Sequence, residues 1–253
     1  MKHFFFSLLA LILFSSAAIA QEMQAPETAA KQAIILDYET GTVLYEKNAD
    51  EKMPTSSMSK VLTTIVVYDA IRDGKLKLDQ MLPVSERAWK MGGSRMFLDL
   101  NSTVKVEDLI KGVVIQSGND ACVVLAEGVA GTEENFAELM NRKASDIGMD
   151  HSHFMNSNGW PDPNHYSTAR DLAKLGVYLI QNYPEDYKYY SEKEFVYNNI
   201  KQGNRNPLLY KTLGADGIKT GHTDDGGYGV IGSAVANGRR IVMVINGTSS
   251  MQA

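Results

Sequence analysis

The sequence has little cysteine, no excess of basic residues and, beyond residue 20, no long apolar run. Cys122 is the single cysteine of 253 residues, so no internal disulfide can form and a hydrophobic core must stabilise the fold. The net charge of −5 argues against nucleic acid as a partner, since nucleic-acid-binding proteins usually carry a basic excess. No later stretch approaches the ~20 apolar residues of a transmembrane helix. The remaining composition, 44% hydrophobic, is that of a globular protein.

The first twenty residues differ from the rest. Met1-Lys2-His3 is a short basic start, residues 4–14 are almost continuously apolar, and Ala18-Ile19-Ala20 is a small-residue cleavage pattern. This predicts a secretory signal peptide over residues 1–20, and the apolar run is too short for the alternative, a membrane anchor. We expect an exported, periplasmic protein whose domain spans residues 21–253.

Hydrophobic periodicity predicts strands at both ends of the chain and helices between them. Strands are expected at 33–38, 42–46, 195–197, 217–221, 228–233 and 240–245, and helices at 57–71, 106–115, 121–129, 133–147 and 169–181. Apolar residues cover most of the circumference of helix 57–71, which predicts that it is buried. The order favours an α+β fold, in which an antiparallel sheet from both chain ends packs with helices and an inserted all-helical subdomain.

Ser57 and Lys60 form a Ser-x-x-Lys pair at the start of the first helix. Side chains three residues apart lie on one helix face, and a neutral lysine can take the proton that makes a serine hydroxyl nucleophilic. Burial or a second nearby cation lowers the pKa of a lysine enough for this role. Taken alone, the pair is better explained as a helix cap with a solvated lysine.

Two further motifs are equally ordinary when each is considered alone. Ser117-Gly118-Asn119 lies in a short loop between two apolar helices, where glycine and asparagine favour a turn. Lys219-Thr220-Gly221 lies on a late strand, where a cation and a hydroxyl can bind a carboxylate while the backbone pairs with an extended peptide. In this order and context the three motifs are those of penicillin-binding proteins and serine β-lactamases.

The flanks resemble one branch of these proteins, the low-molecular-mass D-alanyl-D-alanine carboxypeptidases. The similarity runs from about residue 33 to about residue 247 and includes the segments 54–60, 94–98, 116–122, 166–171 and 216–223. It implies hydrolysis of the bond between two D-alanines of peptidoglycan stem peptides, without a metal or another cofactor, and acylation by β-lactam antibiotics as inhibitors.

The resemblance also implies the roles of four catalytic residues. Ser57 would become the acyl-ester, and Lys60 would take its proton. Ser117 would relay a proton to the leaving amine, and Asn119 would orient Lys60 and the substrate amide. The backbone N–H of Ser57, with one from the strand after Lys219, would form the oxyanion hole.

The same resemblance implies a group of substrate-binding residues on and near the late strand. These are Lys219, Thr220, Gly221 and His222, together with Arg205, which would meet the terminal carboxylate. Arg205 has an equally good explanation as a solvated loop charge. Lys219, close to Lys60, would help keep Lys60 neutral.

Three alternatives stay open at this point: a β-lactamase, a D,D-endopeptidase that uses identical residues, and a scaffold without activity. Class A β-lactamases carry a glutamate that activates the deacylating water. The one Glu-x-x-x-Asn here, Glu194 to Asn198, stands in the wrong part of the chain, so we expect penicillin to leave Ser57 slowly.

Other candidates are weaker. His151 and His153 could share one face of an extended segment, but no third metal ligand is evident, and Cys122 lies in an apolar run typical of a buried thiol. Many relatives continue into a further domain and a membrane-binding helix, whereas this chain ends at Ala253. We therefore expect truncation at the C-terminus, and membrane association only for a longer chain.

Overall fold

A computed structural model describes residues 27–250 of the chain. The predicted signal peptide lies outside the described residues. The strands are β1 Gln32–Asp37, β2 Val43–Lys47, β3 Met81–Pro83, β4 Thr103–Lys105, β5 Glu194–Tyr197, β6 Ile200–Gly203, β7 Ala215–Thr223, β8 Gly227–Ala236 and β9 Arg239–Thr248. The α-helices are α1 Lys60–Arg72, α2 Glu86–Lys90, α3 Val106–Ile115, α4 Asn119–Ala130, α5 Glu133–Ile147, α6 Ala169–Asn182, α7 Pro184–Tyr187 and α8 Leu208–Lys211.

A five-stranded antiparallel sheet joins the two ends of the described chain, in the order β2-β1-β9-β8-β7. β1 pairs with β9, so that Ile34 lies opposite Val244 and both are fully buried. The expected α+β fold, with a sheet from both chain ends and a helical block between them, is confirmed. β7 is an edge strand, and the free edge of a sheet can pair with an extended peptide.

Helix α1 is the central helix of the molecule. It packs against α3, α4, α5 and α6, and ten of its thirteen residues are buried, as its apolar circumference predicted. Lys60, the first residue of the helix, is among the buried residues. The solvated lysine that the Ser-x-x-Lys pair alone would suggest is therefore not what the structure shows. The helix therefore carries a cation into the interior where the helical block meets the sheet.

Several short elements escape sequence analysis. β3, β4, β6, α2, α7 and α8 were not predicted and are three to five residues long, whereas β5 corresponds to the predicted strand 195–197. β3 pairs with β4, and β5 pairs with β6. Periodicity needs a window of about 11 residues, so elements of this length leave no clear pattern. Among residues 27–250, no helix has the length and apolar character needed to cross a membrane.

Candidate active site

Ser57 lies in a single 3₁₀ turn, Ser56–Ser59, that leads directly into α1. In a 3₁₀ helix the side chains at i and i+3 eclipse one another, which brings Lys60 to Ser57 more directly than a regular α-helical start would. The Lys60 Nζ and Ser57 Oγ atoms are 2.7 Å apart. Neither the 3₁₀ turn nor α1 has a side-chain cap, so the helix-cap explanation of Ser57 does not hold.

The Lys60 ammonium nitrogen has three hydrogen-bond partners. Besides Ser57 Oγ, it donates to Asn119 Oδ1 at 2.8 Å and to the Asn158 carbonyl at 2.7 Å. Both oxygens can only accept, so a neutral lysine would use its two N–H groups on them and direct its lone pair at the Ser57 hydroxyl. Burial lowers the pKa of Lys60 to about 8, which makes that neutral form accessible near physiological pH.

A second buried lysine, Lys219, belongs to strand β7. Its Nζ donates to Ser117 Oγ at 3.0 Å and to the Thr220 carbonyl at 3.1 Å, and the residue is 3% exposed. Burial first, and then the charge of Lys60, hold the pKa of Lys219 well below its ordinary value. Two cations near one hydroxyl cluster each favour the neutral form of the other.

Strand β7 approaches the Ser57 turn closely because Gly221 has no side chain. A Cβ atom at Gly221 would lie 3.0 Å from both Ser56 Cβ and the Thr55 carbonyl oxygen. The next residue, His222, is exposed and its ring lies 4.0 Å from that of Tyr228, centroid to centroid. The lack of a side chain at Gly221 thus lets the edge strand lie directly against the turn that carries Ser57.

Arg205 is exposed and donates a hydrogen bond to Ser94 Oγ. It lines a cavity of about 300 Å³ together with Ser57, Ser117 and Thr220. The structure therefore places Arg205 beside Ser57 and Ser117, although the residue remains exposed. All nine predicted site residues lie in or beside this region.

One segment of the site was not found from the sequence, the loop 156–160. Asn156 Oδ1 accepts hydrogen bonds from the backbone N–H groups of residues 158, 159 and 160, and this turn presents the Asn158 carbonyl to Lys60. Gly159 has φ +80°, and a Cβ atom there would lie 1.9 Å from the Ser56 carbonyl oxygen. A backbone carbonyl has no side-chain signature, so the sequence Asn-Ser-Asn-Gly predicts only a turn.

The buried side chain of Glu133 holds this loop from behind. Its carboxylate accepts hydrogen bonds from the Ser157 N–H at 3.1 Å and the Ser157 hydroxyl at 2.6 Å, and it pairs with Arg87 at 2.8 Å. The Asn158 carbonyl is therefore fixed through its neighbour Ser157.

Asn119 and Asp120 fix a second wall, the segment 92–98. Asn119 Nδ2 donates to the Gly92 carbonyl at 2.8 Å, and Asp120 accepts from the backbone N–H groups of Met96 and Leu98. The Ser-x-Asn motif thus positions Lys60 and this wall together.

The remaining candidates lie outside this cluster. Glu194 forms an ion pair with Lys201 at 2.7 Å within the small β5–β6 hairpin, and His153 Nδ1 contacts the Asn164 carbonyl at 2.8 Å. Cys122 is fully buried in α4, and burial raises the pKa of its thiol to about 12. Cys122 thus has the environment of a buried structural thiol, as its apolar sequence context predicted.

Comparison with curated proteins gives relatives over nearly the whole chain. D-alanyl-D-alanine carboxypeptidase DacC of Escherichia coli is 43% identical over 95% of this chain and 62% of the relative. DacA of Haemophilus influenzae is 42% identical over 96% and 64%. The D-alanyl-D-alanine endopeptidase of E. coli is 30% identical over 96% and 80%. The chain thus spans somewhat less than two thirds of the length of the two carboxypeptidases.

Comparison with solved structures finds the same kinds of protein as the comparison of sequences. The D-alanyl-D-alanine carboxypeptidase DacD of Francisella tularensis has a TM-score of 0.88 at 34% identity, covering 90% of this chain and 68% of that one. Penicillin-binding protein D2 of Listeria monocytogenes, in its ampicillin-bound form, has a TM-score of 0.81 at 30% identity, covering 89% and 93%. The family model described as D-alanyl-D-alanine carboxypeptidase matches residues 19–250. The chain therefore belongs to the D-alanyl-D-alanine carboxypeptidase family.

Proposed function

We propose that the protein is an exported serine-type D-alanyl-D-alanine carboxypeptidase that removes the terminal D-alanine from peptidoglycan stem peptides. The observation that carries the proposal is the buried Lys60 amine, which has two carbonyl acceptors and a third contact to the Ser57 hydroxyl. A lysine in that environment serves as a general base, and the hydroxyl beside it as the nucleophile. Its relatives of 42–43% identity are named as carboxypeptidases.

Acylation follows from this geometry. Lys60 takes the proton of Ser57, whose oxygen attacks the carbonyl carbon between the two D-alanines. The backbone N–H of Ser57 and one from β7 beyond Lys219 stabilise the oxyanion of the tetrahedral intermediate. Its collapse breaks the C–N bond, and Ser117, hydrogen-bonded to Lys219, passes its proton to the departing D-alanine amine. Ser117 in turn receives the proton that Lys60 had taken from Ser57, which returns Lys60 to its neutral form.

Deacylation uses the same groups in reverse. Water attacks the ester on Ser57, and the neutral Lys60 amine accepts the proton of that water. The shortened peptide then leaves with a new carboxylate, and the proton returns to Ser57. No step needs a metal or another cofactor.

Arg205 and Thr220 recognise the end of the substrate. They line the same 300 Å³ cavity beside Ser57, and a guanidinium with a neighbouring hydroxyl suits a free carboxylate. Lys219 adds positive charge behind Thr220. Recognition of a free carboxylate fits the terminal D-alanine that a carboxypeptidase removes, and it also sets the direction in which the peptide lies.

β-Lactams would acylate Ser57 and leave slowly. The related Listeria protein was solved with ampicillin bound, which supports β-lactam binding by this fold. The Glu194 carboxylate, the sequence candidate for a deacylating base, is engaged with Lys201 on a separate hairpin. We therefore favour the carboxypeptidase over a class A-like β-lactamase.

Release of free D-alanine from a peptide ending in D-Ala-D-Ala tests the proposal. Wild-type protein should release one D-alanine per peptide, and Ser57→Ala should lose the activity by at least ~10³-fold. Ser56→Ala, a change in the adjacent serine, is the matched control and should keep measurable release. No release by the wild type would contradict the proposal, as would equal activity in Ser57→Ala.

A further inference from the structure

Ser56, the residue before the nucleophile, has a strained backbone. Its φ is +50°, in the left-handed region that residues other than glycine rarely adopt, and its side chain is buried. Neither the 3₁₀ turn Ser56–Ser59 nor α1 has a side-chain cap that would hold this conformation locally. Strain of this kind persists only where the surrounding structure fixes the backbone. Contacts with other segments of the chain must therefore hold the turn that carries Ser57.

A buried histidine, His165, contacts the end of this turn. Its Nε2 atom lies 2.8 Å from the Ser59 hydroxyl oxygen, and that oxygen lies 2.5 Å from the Thr55 hydroxyl oxygen. All three residues are buried. Thr55 directly precedes the turn and Ser59 is its last residue. These hydrogen bonds therefore link the two ends of the turn across Ser57 and attach both ends to His165.

The direction of these hydrogen bonds shows what the histidine can do. His165 Nδ1 accepts a hydrogen bond from the Met155 backbone N–H at 3.2 Å, so Nδ1 carries no hydrogen and Nε2 does. Nε2 therefore donates to Ser59 and cannot take its proton. Burial lowers the pKa of His165 to about 4, which keeps the ring neutral near physiological pH. His165 thus orients the Ser59 hydroxyl and does not activate it as a base.

The His165 ring has a firm support of its own. Phe154 packs edge-on against it, with the two ring centroids 5.3 Å apart. Two residues further along the chain, Ser167 exchanges backbone hydrogen bonds with Met53, at 2.9 and 3.1 Å. Segment 165–167 therefore fixes the chain just before the turn through backbone contacts, and the end of the turn through Ser59.

We propose that His165 is a positioning residue for the acylation of Ser57. Through Ser59 it holds the 3₁₀ turn in the strained conformation that places the Ser57 hydroxyl against the Lys60 amine. Because Ser59 directly precedes Lys60, loss of the hydrogen bond from Nε2 would let the chain relax between the nucleophile and its base. The inference rests on the proposed function only for its peptide substrate, since every reagent that acylates Ser57 depends on the same turn.

Two substitutions of His165 test this role. His165→Leu removes both hydrogen bonds of the ring and keeps a buried apolar side chain. Since a shift of about 1 Å can cost about 100-fold in rate, kcat/KM for D-alanine release from a peptide ending in D-Ala-D-Ala should fall about 10-fold to 100-fold. His165→Gln keeps a donor for Ser59 and an acceptor for the Met155 N–H, so it should retain most of the wild-type kcat/KM.

A double-mutant cycle with Ser59→Ala separates positioning through Ser59 from unrelated damage to the fold. Ser59→Ala alone should lower kcat/KM about as much as His165→Leu, and the double variant should lose no more than either single variant, because all three break the same link. Unrelated damage would instead multiply the two losses. Should His165→Leu fail to fold, Ser59→Ala decides alone: a reduced kcat/KM supports the role, and the wild-type value overturns it.

His153→Leu is the matched control, because His153 is also partly buried and its Nδ1 contacts the Asn164 carbonyl instead of the turn. It should keep the wild-type kcat/KM. Wild-type activity in His165→Leu, no advantage of His165→Gln over His165→Leu, or multiplied losses in the double variant would overturn the positioning role.

The rate constant for acylation by benzylpenicillin, measured on the same variants, distinguishes failure of this role from failure of the proposed function. It should fall in the same order as kcat/KM. If it does so while the wild type releases no D-alanine, the proposed function is overturned and the positioning role stands. Equal acylation rates in the wild type and His165→Leu would overturn the positioning role and leave the proposed function intact.

Discussion

Two buried lysines dominate the site at the scale of single residues. Lys60 and Lys219 are 1% and 3% exposed, and each is compensated by neutral oxygen acceptors. Burying a cation without a carboxylate partner is unfavourable. This loss of solvation favours the neutral amine and so lowers the pKa of both lysines. That depression makes the neutral amine accessible, which is the form the proposed role of Lys60 as the base for Ser57 requires.

The rate of the enzyme should therefore rise with pH through the pKa of Lys60. The neutral amine is the active form, so kcat/KM for D-alanine release should climb about tenfold per pH unit below a midpoint near 8. The charge of Arg205 lowers the Lys60 pKa, so Arg205→Met should move the midpoint to higher pH. Arg205→Lys keeps the charge and should keep the midpoint. A profile that is flat between pH 6 and 9 would show that Lys60 is not the base.

At the scale of elements, the site forms where three segments meet. The 3₁₀ turn carries Ser57, the edge strand β7 carries Lys219, and the loop 156–160 supplies a carbonyl to Lys60. Two glycines allow these segments to approach the 3₁₀ turn closely. Gly221 lies against the Ser56 side chain and Gly159 against the Ser56 carbonyl, where a Cβ atom would not fit without movement. Close backbone approach thus sets the position of Lys60 together with the side chain of Asn119.

Adding a methyl group at Gly159 should disrupt the contact between loop 156–160 and the turn that carries Ser57. The Cβ atom of Gly159→Ala would lie 1.9 Å from the Ser56 carbonyl oxygen, so the loop must move and the Asn158 carbonyl must leave Lys60. A displacement of about 1 Å can cost about 100-fold in rate, and we expect a loss in kcat of that size.

Gly148→Ala is the matched control for Gly159→Ala. Gly148 has nearly the same φ, +79°, but no atom within 4 Å of the added Cβ. Each substitution should reduce the free energy of unfolding by about 1 kcal/mol through the left-handed backbone alone. Only Gly159→Ala should lose activity while remaining folded. Equal kcat in the two variants would show that the loop contact does not position Lys60.

The long elements and the three motifs could be predicted from the sequence because each has a local signature. The apolar circumference of α1 predicted its burial, and the order of the motifs predicted that Ser57, Ser117 and Lys219 converge. The Asn158 carbonyl could not be found, because any residue type supplies one and its position depends on how loop 156–160 folds onto Ser56.

At the scale of the whole molecule, the sheet and the helical block hold the site between them. β7 belongs to a sheet built from both ends of the described chain, whereas Ser57, Lys60 and Ser117 belong to the helical part. The hydrogen bond between Lys219 and Ser117 crosses from one part to the other. The arrangement of residues around Ser57 therefore depends on how the sheet and the helical part pack together.

The central claim, that Ser57 forms an acyl-enzyme, is tested most directly by the mass of the intact protein after exposure to benzylpenicillin. Opening of the β-lactam ring expels no fragment, so the wild type should gain the mass of one whole penicillin, and peptide mapping should place it on Ser57. The adduct should persist for minutes to hours, and Ser56→Ala should form it as the wild type does. No adduct on the wild type, or the same adduct on Ser57→Ala, would contradict the account.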